Sequence, residues 1–266
     1  NVFRFNITDQ ASGDGLPTMV NTFIIQNEGS GTADWTDHIA GAELWHNGSI
    51  IPDLDVQITD NNLTFDKTTG TFDIADGASE EITMKIWLNT SNIVDNSTMI
   101  FEIPDTLHGF SSDIAGSEFN VEFPADVVSN IHTIHVDATE IRFTTQPSEY
   151  ATSGIRLARQ PILAATDDYS NIDKDINTSV TLSNSGNLGM ADNTISFTNG
   201  VAAFFNFGFT TGGKYVMLNA TDGTLTTPDP SCEIAVDIQG CVLFEENFSS
   251  YPTTSDLPTP GNEWVY

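Results

Sequence analysis

The chain has 266 residues, enough for two domains of ordinary size, each able to bury its own core. Its 37 acidic residues against 8 basic ones leave a formal charge of -29, which excludes nucleic acid and anionic membrane surfaces as partners, because both need a basic footprint. So acidic a surface stays hydrated in salt, where screening over about 8 Å removes much of its self-repulsion, and it also suits divalent cations.

Period-two alternation runs from one end to the other. Phe3, Phe5 and Ile7 share one face of a predicted strand, with Arg4 and Asn6 opposite. Ile82, Met84, Ile86 and Leu88 repeat the design, and so do Phe119, Val121 and Phe123, followed by an apolar strand over Ile131 to Val136. A boundary is expected near Val136 to Thr139, giving a first module of residues 1–137 and a second of 138–240, joined by a linker too short for a free hinge. In the second module, Val201, Ala203, Phe205, Phe207 and Phe209 form the longest stripe. Gly, Asn, Asp and Ser clusters separate these runs. No stretch combines a helical period with caps, and no window reaches the 18 apolar residues of a membrane helix. The expected fold class is all-β, with two antiparallel β-sandwiches in tandem.

Residues 241–266 are too few to fold alone, and read as a linker and the first strand of a truncated next domain. The chain is expected to begin at a mature end or a cut. Cys232 and Cys241 are its two cysteines. An extended strand between them would hold them about 30 Å apart, so a bridge requires the segment to fold back, for instance at Gln239-Gly240. Two buried thiols, or bridges to other segments, are the alternatives.

Chemistry is sparse. There is no Gly-x-Ser-x-Gly elbow, phosphate-cradling loop or His-Glu-x-x-His helix, so the chain is expected not to be an enzyme. His132 and His135 lie three apart, on opposite faces of a strand, and cannot share a metal without a bulge. The loop over 167–175 gathers Asp167, Asp168, Asp173 and Asp175, and the turn over 9–15 holds Asp9 and Asp14. Calcium takes six to eight oxygens, and either loop could supply part of that shell. The loop over 167–175 lacks the Gly and terminal Glu of an EF-hand loop; for both segments a solvated turn, rich in Asp and Asn for their tolerance of left-handed backbone, is the other reading. Trp35, Trp45 and Trp87 are candidates for stacking on sugar rings, against the alternative that a sandwich buries its tryptophans.

Phe143-Thr144-Thr145-Gln146-Pro147, Val180-Thr181-Leu182, Gly200-Val201-Ala202 and Tyr215 to Thr221 resemble the bacterial immunoglobulin-like repeats of very large surface proteins, over about eighty residues. The first module is similar to domains that accompany these repeats in secreted Bacteroidota proteins, through Gly15-Leu16-Pro17-Thr18, Trp35 to Ala42 and Lys85-Ile86-Trp87-Leu88. Phe244 to Pro252 resembles the opening of a lectin-like jelly roll. The resemblance implies immunoglobulin-like sandwiches, type IX secretion and a place outside the cell, at its surface. It implies a spacer segment of an adhesin or filament, with neighbouring modules and identical chains of a fibre as partners and an unspecified glycan or cell surface as distal target. It also implies O-glycosylation at Asp-Thr-Leu, with Thr106 as acceptor. An accessory region of a secreted hydrolase and a glycan-binding module in its own right are the alternatives.

Overall fold

The computed structural model describes residues 1–10 and 15–239. The strands of the first half are β1 (Phe3–Thr8), β2 (Thr18–Asn27), β3 (Ile39–His46), β4 (Ser49–Ile50), β5 (Leu54–Ile58), β6 (Asn62–Lys67) and β7 (Phe72–Ile74). They continue with β8 (Ser79–Leu88), β9 (Thr98–Met99), β10 (Phe101–Ile103), β11 (Ser111–Ser112), β12 (Val127–Val128) and β13 (His132–Thr133). One helical turn, α1 (Trp35–His38), precedes β3, its start capped by Asp34, whose carboxylate accepts from Asp37 N.

Two sheets face each other in this half. One has the order β1-β8-β3-β4, and the other the order β12-β10-β2-β6-β5, with β7 and β11 also on β2. Alternation explains the facing. In β1 the residues Phe3, Phe5 and Ile7 are buried while Arg4, Asn6 and Thr8 are exposed, and the register sets Phe5 opposite Ile82 and Phe3 opposite Met84. The hairpin between β3 and β4 turns on Asn47 and Gly48, both at positive φ, the conformation a two-residue turn demands. Between the sheets lies one cluster that includes Phe23, Trp35, Phe65 and Phe101, all with no exposed surface. Each such ring contributes about 1.5–3 kcal/mol by leaving water.

The second half comprises β14 (Glu140–Thr145), β15 (Tyr150–Thr152), β16 (Ile162–Thr166), β17 (Ser179–Asn184), β18 (Met190–Ala191) and β19 (Thr194–Ser196). It ends with β20 (Val201–Ala203), β21 (Gly208–Phe209), β22 (Lys214–Val216), β23 (Leu218–Thr221) and β24 (Ile234–Asp237). These form the sheets β14-β16-β20, β15-β24-β22, β19-β17-β23 and the pair β18-β21. Pairing is antiparallel throughout the described residues except between β15 and β24. A second cluster, from Ile141 to Val236, fills this half, separate from the first, which runs from Phe3 to Ile134. The chain is all-β, built of antiparallel β-sandwich layers.

Two expected stripes are not strands. Phe119 and Phe123 lie in an irregular segment, where they pack on Phe110, while Val121 is 86% exposed. The run over 201–209 breaks after Ala203. Its buried side chains are Ala202, Phe204, Phe207 and Phe209, and Phe205 is 69% exposed. Alternation fails here because the bend between β20 and β21 reverses which parity faces inward.

Candidate functional site

The first cluster ends at Ile134 and the second begins at Ile141, so residues 135–140 carry the chain across. The amides of this crossing are held from both sides. Val136 N donates to Asp95 Oδ1 at 2.8 Å, and Ala138 N donates to Asp173 Oδ2 at 3.0 Å. Thr139 completes the set, its hydroxyl donating to Asp168 and its amide to Thr166 O.

Asp95 sits in the turn after β8, between Asn92 and Asn96, both in left-handed backbone that Asn tolerates without a glycine. Asp173 is placed by β16 and by the β19–β20 turn: its amide donates to Ala165 O, and Gly200 rests so close that a Cβ there would lie 2.1 Å from Asp173 O. The two loops then bond to each other directly. Lys174 N donates to Asp95 Oδ2 at 2.8 Å, Lys174 Nζ to Asp95 O at 3.2 Å, and Asn96 Nδ2 to Asp175 Oδ1 at 2.9 Å. Asn171 adds a two-way contact, accepting from Ile93 N at 2.9 Å and donating to Thr90 O at 2.8 Å. Asp95, Asn171 and Asp173 are all buried, at 2%, 6% and 7% exposure. Buried carboxylates and amides are tolerated only when they are bonded, and these are.

Asp95, Asp173 and Asp175 bring carboxylate oxygens within 4.8 Å of one another. One oxygen from each gives three of the six to eight that calcium takes, and the Lys174 ammonium bonds the Asp95 main-chain carbonyl at the same place. The structure thus brings together Asp173 and Asp175 of the expected loop and adds Asp95, which lies far away in sequence. Asp167 instead closes its own turn, accepting from Tyr169 N and Asn171 N at 2.9 Å each, and Asp168 accepts from Thr139. Asp9 is buried and accepts from Thr18 Oγ1 at 2.8 Å; Asp14 lies outside the described residues.

The remaining candidates are dispersed. Cys232 is half-buried, with its thiol 3.6 Å from Pro147 O and pushed above the ordinary range by burial and by Glu149. Its partner in the expected bridge, Cys241, lies outside the described residues, as does the expected domain start over 241–266. Thr106 is exposed, in a bridge with Glu122. Trp35 belongs to the core, whereas Trp45 and Trp87 lie on the outer face of their sheet. Lys85 Nζ stands 3.1 Å from the Trp45 ring centroid, and Trp87 covers Gly41, where a Cβ would meet its ring at 2.3 Å. The Trp45 ring is thus covered by Lys85, while Trp87 packs one side on Gly41 and remains 47% exposed. His132 packs on Phe101, and His135 is exposed.

No family model matches the chain, and no curated protein matches it. Among solved structures, the major pilin subunit of Bacillus cereus is similar at 9% identity and a TM-score of 0.25. The match covers 90% of this chain and 63% of the pilin.

No described helix is long and apolar enough to cross a membrane.

Proposed function

We propose that this chain is a non-catalytic spacer in a secreted, multi-domain surface adhesin or filament, with its two halves locked at a fixed angle. One observation carries the reading. The buried carboxylate of Asp95 accepts amide hydrogens both from the crossing, at Val136, and from the second half, at Lys174. A hinge at this point would strand those amides without partners, at about 1–3 kcal/mol each. A stiff joint is what a projecting rod needs, and antiparallel ladders on either side of it resist pulling because their bonds break together.

The resemblance of residues 140–222 to immunoglobulin-like surface repeats, together with that of the first module to domains that accompany them in secreted Bacteroidota proteins, supports a place outside the cell, type IX export and a Bacteroidota-like source. Neighbouring modules, and identical chains in a fibre, are the partners this role requires. Immunogold electron microscopy on the producing cell, with antibody raised against this chain, tests the role. Label spaced regularly along rods or fibres supports it; label confined to a compact secreted particle would transfer the chain to the accessory region of a hydrolase.

A further inference from the structure

β1 is the outer strand of its sheet, paired with β8 on one side alone among the described residues. Asp9 N donates to Ala78 O, and the antiparallel alternation then turns the main-chain groups of Ile7, Phe5 and Phe3 toward β8. The N–H and C=O groups of Arg4, Asn6 and Thr8 therefore point out of the sheet. Such a row is a ready template for another strand.

Beside this row lies a cavity of about 800 Å³. Phe5, Ile7, Ile103, Phe110, Phe119 and Phe123 give it an apolar floor, and Asp126 and Val127, at the outer strand β12 of the opposite sheet, form its far wall. The cavity is thus the open seam of the sandwich, where, among the described residues, the two sheets end without a strand between their edges. The segment over 117–126 borders the seam but is fastened elsewhere. Phe123 N donates to Asp105 O, Asp105 N to Asp126 Oδ1, and His108 Nε2 lies 2.9 Å from Asn120 O.

We propose that this seam receives an extended strand of another polypeptide, apolar at alternate positions and carrying lysine or arginine between them. Main-chain pairing with Arg4, Asn6 and Thr8 would provide the register, and the alternate side chains would enter the apolar floor, as in other cases of strand addition to a sheet edge. The length of β1 matches an insert of about six residues, roughly 20 Å.

Charge decides the partner. Asp9, Glu118 and Asp126 line the cavity, no Lys or Arg does among the described residues, and the chain as a whole carries a formal charge of -29, so its field favours a cationic strand whichever face the lysines take. A second copy of this chain is a poor donor, because it offers 8 basic residues among 266.

The test uses the whole chain, 15N-labelled, and a nine-residue peptide alternating valine with lysine and threonine. Saturable binding is expected, with amide shifts concentrated at Arg4, Asn6 and Thr8 and hydrogen exchange at those amides slowed about tenfold or more. N-methylating the peptide on its pairing edge, or exchanging its lysines for glutamates, is expected to weaken binding by about tenfold or more at low salt. Asn6→Pro removes an outward N–H that no ladder bond uses, and is expected to keep the fold and lose the peptide. Should that variant fail to fold, the N-methylated peptide decides the matter. No binding, equal binding of the N-methylated peptide, or shifts mapping elsewhere would overturn the proposal. Self-association that protects the same three amides in the absence of peptide would overturn its choice of partner.

Discussion

Asp95 and Lys174 lie on opposite sides of the passage between the two cores and are joined twice, by the Lys174 amide on the carboxylate at 2.8 Å and by its ammonium on the Asp95 carbonyl at 3.2 Å. The same carboxylate holds Val136. One side chain in the first half therefore fixes both the exit of the chain and the loop it must meet.

Asp95→Ala is expected to destabilise the chain by about 2–5 kcal/mol, since it leaves two buried amides unpaired. Asp95→Asn should do nearly as badly, because an amide offers one acceptor oxygen where two are used. Denaturant unfolding followed separately in each half is the measurement. The expected result is a single transition in the native chain that separates into two in the variants; a coincident transition in both would show that Asp95 does not couple the halves.

Phe205 and Phe207 test the corrected stripe. Phe207 has no exposed surface and packs on Phe204 and Phe209, so Phe207→Ala is expected to cost about 3–5 kcal/mol. Phe205 is 69% exposed, and Phe205→Ser should stay within about 0.5 kcal/mol. Equal losses from the two would restore the continuous strand.

Glu102→Gln is expected to raise the melting temperature at pH 7 and to do nothing at low pH. The folded carboxyl titrates above its ordinary range because of burial, Asp126, Glu28 and Asp105. Its ionised form therefore opposes folding, a penalty present at high pH and relieved as the pH falls through the raised value. Melting curves from pH 3 to 8 check the sign. A gain that grows toward low pH would contradict it.

Lys174→Met removes the ammonium that bonds the Asp95 main-chain carbonyl, next to the cluster of Asp95, Asp173 and Asp175 carboxylates. The variant is expected to lose about 1 kcal/mol and to recover part of it in millimolar calcium, while the native melt is unchanged by a chelator. A native chain that melts lower in chelator would instead hold a cation of its own.

Much of this was legible in the residues. Phe3, Phe5 and Ile7 alternate because one face of β1 is buried, and the pattern of Ile82 and Met84 on β8 answers them across the ladder. The loop over 167–175 was legible as an Asp-rich turn. Its function as a clamp was not, because Asp95 meets Lys174 across 79 positions, and no local pattern encodes such a contact. Asn92-Ile93-Val94-Asp95-Asn96 signals a turn and nothing about its partner. Phe119 and Phe123 mimic a strand because alternation also satisfies an irregular segment that inserts two rings into one cluster.

The most direct measurement of the rigid joint is a set of residual dipolar couplings for the backbone amides of both halves in one alignment medium. A fixed angle requires one alignment tensor to fit residues 3–134 and 141–236 together, and Asp95→Ala to split it into two. Two tensors of different magnitude in the native chain would mean the halves move independently, and the spacer reading would fall with them.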